Sequence, residues 1–332
     1  MKKHYLTIFI VSVVFISCAS PKFAVKRMAP ARYNITDIKS IGLMNFSSEN
    51  RDLEDGAAII TNNIENKLAG NGFFDLRHMS VRTTPVIFPD LIAENGKNAA
   101  VDAVVFGLID QYGSWTNRTV KKVEELQSTG RYRTEYYVEN GVRKSKQVEI
   151  KNKIIKNIPV EERNASVSFR VYVLRSGDAK YIGRDTITDS RSVSAEGRED
   201  IGRLQTERSM LRELVNGLTE RFVSFITPHE VTDYIKLKSS KSVKPGIKLA
   251  KGGDWDGAIN YWEDVVQTNP NDHVAIYNLG AANEYQRNYQ KARDYYRDAM
   301  RISNQGLYNE AWVRIHDIAG QNERLERQLK NR

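Results

Sequence analysis

Apolar residues along this chain follow three spacings, and each predicts a different kind of element. Ile41-Gly42-Leu43-Met44-Asn45-Phe46 is a short apolar run of strand length, and Phe73-Phe74-Asp75-Leu76 is a second. Between them Ile59, Ile60, Ile64 and Leu68 recur at helical spacing, and Gly70 and Gly72 mark that helix's end. Ala103 to Ile109 is almost unbroken, as in a central strand covered on both faces. From Ser166 the period becomes two. Val167, Phe169, Val171 and Val173 point one way and Ser168 and Arg170 the other, so this strand buries one face. A turn over 175–180 sends Tyr181 to Thr188 back antiparallel. Leu204, Leu211, Leu214, Val215, Leu218, Phe222 and Phe225 then define a long amphipathic helix, and Val231 to Leu237 is expected to close the sheet edge. These elements predict a mixed sheet with helices, an α+β or α/β domain over residues 36–238.

After Lys238 the pattern repeats. Gly246, Trp255, Ala258, Trp262 and Val265 return thirty-four residues later as Gly280, Tyr289, Ala292, Tyr296 and Ala299. This period resembles tetratricopeptide repeats, which are stacked helical hairpins. Two units, 239–272 and 273–306, lead into Leu307–Ala319, which begins a third, and the charged tail from Asn322 resembles a solvating cap. The fold class is therefore a mixed-sheet domain followed by an all-α repeat domain over 239–332. The small residues belong where two helix backbones touch. The resemblance implies a concave groove for an extended peptide of an envelope protein, lined by Val274, Tyr277, Ala281, Glu284, Tyr308 and Ala311. With so few repeats the same face could instead pack on the first domain. If it is a groove, Tyr277 and Glu284 should tolerate alanine for stability while partner capture weakens.

The amino terminus adds an address. Lys2 and Lys3 precede an apolar stretch from Tyr5 to Ile16, too short to span ~30 Å of hydrocarbon as a helix. Phe15-Ile16-Ser17-Cys18 resembles a bacterial lipobox, which implies that residues 1–17 are a signal peptide and that Cys18 is lipidated. Cys18 is the only cysteine, so an internal disulfide is impossible and the thiol reads as an attachment point. Residues 18–35, with Pro21 and Pro30 and no sustained periodicity, read as a tether. Ala19 lacks the aspartate that retains many such proteins at the inner membrane. The expectation is an outer-membrane lipid anchor facing the periplasm, or the cell surface.

Removing residues 1–17 lowers the net charge from +9 to +7, and most of that excess lies in one place. Arg118 to Ile158 holds eleven Lys or Arg against five Glu. Its alternation around Asn140-Gly141 reads as a solvated β-hairpin. An exported protein does not meet nucleic acid, so an anionic surface is the partner class for this stretch.

The order of these elements, with "AAVDAVVFGLI" and "SVSFRVYVLRSGDAKYIG", resembles the curli-secretion lipoproteins. The penicillin-binding-protein activator lipoproteins and the amino-terminal domain of the Tol-system β-propeller protein share the arrangement. Asp102, Gly107 and Gly177 stand at the matching places. The resemblance implies either an adaptor or activator of an envelope complex, or a subunit of a secretion or assembly apparatus. The hairpin carries charge on both faces, and each Lys or Arg facing lipid near the midplane costs ~2–4 kcal/mol, which argues against a pore. His4, His78, His229, His273 and His316 are scattered, without paired metal spacing. No nucleophile elbow or phosphate-binding glycine loop occurs in the sequence. The reading is non-catalytic, with no cofactor or metal.

Overall fold

The structure, a computed structural model, describes residues 21–84 and 87–330; Cys18 and the expected signal peptide lie outside them. The chain divides into two units, and the first strand, β1 (Lys22–Ala29), belongs with the later one.

Residues 31–227 form the sheet unit. Its elements are β2 (Ser40–Asn45), β3 (Ser47–Ser48), α1 (Glu54–Asn71), β4 (Asp75–Arg82), α2 (Pro89–Asn98), β5 (Ala103–Glu139), β6 (Val142–Arg175), β7 (Tyr181–Glu196), α3 (Arg198–Arg203) and α4 (Glu207–Ile226). The strand order is β4-β2-β5-β6-β7, with β3 also beside β5. β4, β2 and β5 run parallel, and β5, β6 and β7 antiparallel. Ile60, Ile64 and Leu68 of α1 and Met210, Val215 and Phe222 of α4 cover one face, against Val105, Val167, Phe169 and Val171. Ile92 and Ala93 of α2 cover the other, against Val104, Phe106 and Leu174. Both faces of β5 are thus buried at its root, which accounts for its unbroken apolar run. α1 ends at Gly72, whose φ of 64° suits glycine and whose N–H donates to the Leu68 carbonyl.

Two of the motif positions have structural explanations. The Asp102 carboxylate accepts from the Lys39 N–H at 2.9 Å, the Ser40 N–H at 2.8 Å and the Ser40 hydroxyl at 2.9 Å, joining the starts of β2 and β5. A Cβ on Gly107 would lie 2.4 Å from the Phe46 ring and 2.5 Å from the Arg170 carbonyl oxygen. Gly177, by contrast, faces open space.

The hairpin expected over 118–158 is the outer part of something longer. β5 and β6 each continue from the sheet, and Asn140 and Gly141, both at positive φ, close the turn between Glu139 and Val142. β7 stops at Glu196, opposite Val160. Beyond it, Val120–Glu139 and Val142–Pro159 pair only with each other among the described strands. At ~3.4 Å per residue this two-stranded arm is about 65 Å long.

Residues 21–30 and 228–330 form the helical unit. β1 pairs antiparallel with β8 (His229–Lys236), from Lys22 opposite Lys236 to Ala29 opposite His229. This corrects two expectations. Residues 18–35 are not all tether, and Val231–Leu237 does not close the sheet of the first domain. β1 alternates, but only Phe23 and Val25 mark its inner face, and its partner lies two hundred residues away. The domain boundaries move accordingly, from 36–238 to 31–227.

The helices are α5 (Lys244–Lys251), α6 (Trp255–Thr268), α7 (His273–Tyr285), α8 (Tyr289–Ile302) and α9 (Gly306–Lys330), each packed on the next. The thirty-four-residue period is a repeated contact. A Cβ on Gly246 would meet the Trp262 ring at 2.4 Å, and one on Gly280 would meet Tyr296 at 2.7 Å. The start of the third unit and the charged tail, expected as separate pieces, form one continuous helix, α9. Ile315, Ile318 and Leu325 hold its apolar stripe across Gly320.

Candidate functional site

The six residues expected to line a peptide groove are brought together, but they line nothing open. Val274, Tyr277, Ala281, Glu284, Tyr308 and Ala311 are all at most 7% exposed. The chain's own strand fills the space. Ile235 and Leu237, at the end of β8, are fully buried in the same cluster. The Tyr277 hydroxyl donates to the Lys236 carbonyl at 2.8 Å. Asn278 accepts from the Lys238 N–H and donates to the Lys238 carbonyl, both at 2.9 Å. The groove reading is therefore corrected: α7 holds an extended segment by its backbone, and that segment is internal. Spacing alone does not single out Asn278, although a polar residue inside the apolar run of α7 is a signal of such a clamp.

Behind this contact lies a polar cluster. Glu284 accepts from Arg314 Nε at 3.0 Å and Nη2 at 2.7 Å, and from the Tyr296 hydroxyl at 2.6 Å. Burial alone would lower the Arg314 pKa, but its bonds and charge pairing with Glu284 hold it raised. Burial also raises Tyr277 and pushes Tyr308 up to about 12. The Tyr308 ring stacks on Tyr277 with centroids 4.7 Å apart, and its hydroxyl lies 2.8 Å from His273 Nδ1. These groups are locked in packing.

The arm is different. Pairing and alternation put Val120, Leu126, Tyr132, Tyr136, Val138 and Ile155 on one face of the ribbon, and each is at least 60% exposed. That face continues the one which α1 and α4 cover at the root, through Tyr112, Ser114 and Thr116. Its charges are largely matched within the unit. Arg118 pairs with Glu161, Lys121 with Glu196, Lys153 with Glu124, Lys156 with Glu125, and Lys144 with Glu139. With Arg133 and Lys146 on Glu135, seven of the eleven cations of 118–158 are paired, and Lys122, Arg131, Arg143 and Lys151 have no ion pair among the described residues.

A cavity of about 630 Å³ opens between α1, α4 and β5. Asp55, Tyr112, Glu207, Arg208 and Arg212 line it, with Ile59 and Leu211. Thr116 and Ser114 hydroxyls donate to Glu207, and burial raises the Tyr112 pKa. The lining mixes opposite charges without a nucleophile–base pair. Among the described residues no cluster of His, Cys, Asp or Glu could hold a metal ion. No described helix is long and apolar enough to cross a membrane.

Residues 244–324, less than half of the chain, match a family described as a domain of unknown function, DUF6340. No curated protein matches. Similar solved structures include the PelC dodecamer from Paraburkholderia phytofirmans, at 12% identity over 62% of this chain and 99% of that one, with a TM-score of 0.30. Lipoprotein GNA1162 from Neisseria meningitidis is similar at 12% identity over 56% of this chain and 98% of that one, with a TM-score of 0.27. Hypothetical protein CT253 from Chlamydia trachomatis is 11% identical over 57% and 98%, with a TM-score of 0.26. A bacterial lipoprotein is thus among the similar structures, at scores too low to carry an argument about this chain.

Proposed function

We propose that this protein is a non-catalytic, lipid-anchored envelope protein, attached through Cys18 to the outer membrane and facing the periplasm. It acts as a scaffold or adaptor that holds a protein partner along the β5–β6 arm. The arm carries this reading. An isolated two-stranded ribbon is marginal in water, and this one keeps a row of large apolar side chains in solvent on a face continuous with a core. A partner laid on that face would complete a third layer. The helical unit, read as tetratricopeptide-type hairpins from its repeated Gly–aromatic contact, has its groove filled by β8 and serves as a prop. The place of Asp102 and Gly107 supports reading the sheet unit as related to curli-secretion and activator lipoproteins.

Photo-crosslinking from Tyr132 and Tyr136 in intact cells tests this. The expected result is an adduct with one other envelope protein, lost when Leu126 and Val138 become lysine. Adducts only between copies, with a ring of many copies on sizing, would replace the adaptor by a subunit of a secretion or assembly apparatus. The open edges of the arm favour that second reading. No adduct at either position would remove the arm as a contact.

A further inference from the structure

The arm holds the most basic stretch of the sequence, but five Glu are interspersed among its cations, whereas a second basic segment contains no acid. From Lys236 to Lys251 the chain carries Lys236, Lys238, Lys241, Lys244, Lys248 and Lys251, and no acidic residue occurs between Asp233 and Asp254. β8 register sets a seventh, Lys22, opposite Lys236. None of these lysines has an ion-pair partner within 4.0 Å among the described residues. Lys22, Lys241, Lys244, Lys248 and Lys251 are exposed. On α5, positions 244, 248 and 251 share one helix face, while Gly246, Ile247 and Ala250 bury the other.

The place of this surface gives it meaning. The Leu237 N–H donates to the Pro21 carbonyl at 3.0 Å, so the chain leading back to Cys18 departs beside Lys22, Lys236 and Lys238. Two residues separate Cys18 from Pro21, three Cα–Cα steps with a reach of about 11 Å at most. The tether expected over 18–35 is thus cut short at Lys22, where β1 begins. We infer that the lysine surface formed by the β1–β8 end and α5 is a docking face for anionic phospholipid headgroups. Lysines are point charges on flexible stems, suited to phosphates spread over a plane, and these line a strand end and a helix side. A single acyl chain anchors only marginally and several anchor stably, so what a polybasic patch adds beside a lipid anchor is electrostatic attraction that seats this face on the headgroups. The position of the face at the anchor rests on lipidation of Cys18 as proposed above; its affinity for anionic lipid does not.

The test therefore uses unlipidated protein, residues 18–332 with Cys18→Ser, which keeps every described residue. Vesicles of phosphatidylethanolamine with about one-third phosphatidylglycerol should sediment it, and phosphatidylcholine vesicles should not. Binding should fall steeply between about 0.05 M and about 0.3 M salt. Lys244→Gln/Lys248→Gln/Lys251→Gln should weaken binding at least tenfold with an unchanged thermal midpoint. Lys22→Gln/Lys241→Gln, at the other half of the face, should weaken it independently. The arm variant Lys122→Gln/Arg131→Gln/Lys151→Gln should bind as wild type. Equal binding to both vesicle types, or loss only in the arm variant, would overturn the inference. Whether Cys18 carries lipid is read separately, from membrane fractionation of the full chain with and without Cys18→Ala, so the two failures are distinguishable.

Discussion

Glu284 shows at the residue scale how burial changes a side chain's meaning. Its carboxylate holds two Arg314 nitrogens and the buried Tyr296 hydroxyl, so truncation leaves a guanidinium and a phenol without their acceptor. Removing one partner of such a pair costs ~3 kcal/mol. Glu284→Ala should therefore shift the urea midpoint strongly, opposite to the tolerance a groove residue would show. Gly280 is constrained by space. A Cβ there would sit 2.7 Å from the Tyr296 ring, so Gly280→Leu should overpack the hairpin by ~1–3 kcal/mol, measured by the same titration. Asp102 brings a pH dependence. Burial works against its charge, but the Lys39 and Ser40 donors outweigh that and hold its pKa below the ordinary ~3.9. A depressed folded pKa stabilises above the unfolded value, and that contribution fades as pH falls through the folded one. Asp102→Asn should remove part of the acid sensitivity below about pH 4. Equal slopes of stability against pH in the two proteins would contradict this.

Among elements, the arm and the root of the same two strands obey different physics. At the root, β5 lies between β2 and β6 under helices on both faces, and its residues are core. Past Val120 nothing described covers it, and cross-strand pairs are all that remain. Replacing residues 127–152 by Asn-Gly joins Leu126 to Lys153, which already face each other, through a turn of the right type. The shortened protein should keep its unfolding free energy within ~0.5 kcal/mol, since no core residue is lost. It should lose the crosslinks of the arm. A large loss of stability would mean that the arm is part of the folding unit.

For the whole molecule, the division into units makes an early segment depend on late ones. β1 supplies Phe23, whose ring meets Trp255 edge-on at 4.9 Å, and Arg27, which pairs with Asp233 and donates to Gln321 at 2.9 Å. Removing residues 21–30 strips one strand of a two-stranded sheet and one layer from the helices. Hydrogen exchange on the truncated chain should show faster opening of β8 and α9. The sheet unit, with its own core, should keep its protection.

Much of this architecture was legible in the sequence because it depends on local spacing. The buried face of β6, the stripe of α4, the Asn-Gly turn and the thirty-four-residue period are patterns that chain geometry alone makes necessary. What spacing cannot carry is who fills a face. Val274, Tyr277, Glu284 and Tyr308 have the composition of a groove, and only the tertiary structure shows β8 lying in it. β1 was hidden for the same reason, since two inward apolar residues signal a strand only once a distant partner is beside them. Charge behaved likewise. The sequence locates lysines, but the fold decides which stand next to a carboxylate, pairing seven of the eleven cations of 118–158 and none of the lysines around α5. Periodicity is a property of neighbours in the chain, whereas burial and charge compensation are properties of neighbours in space.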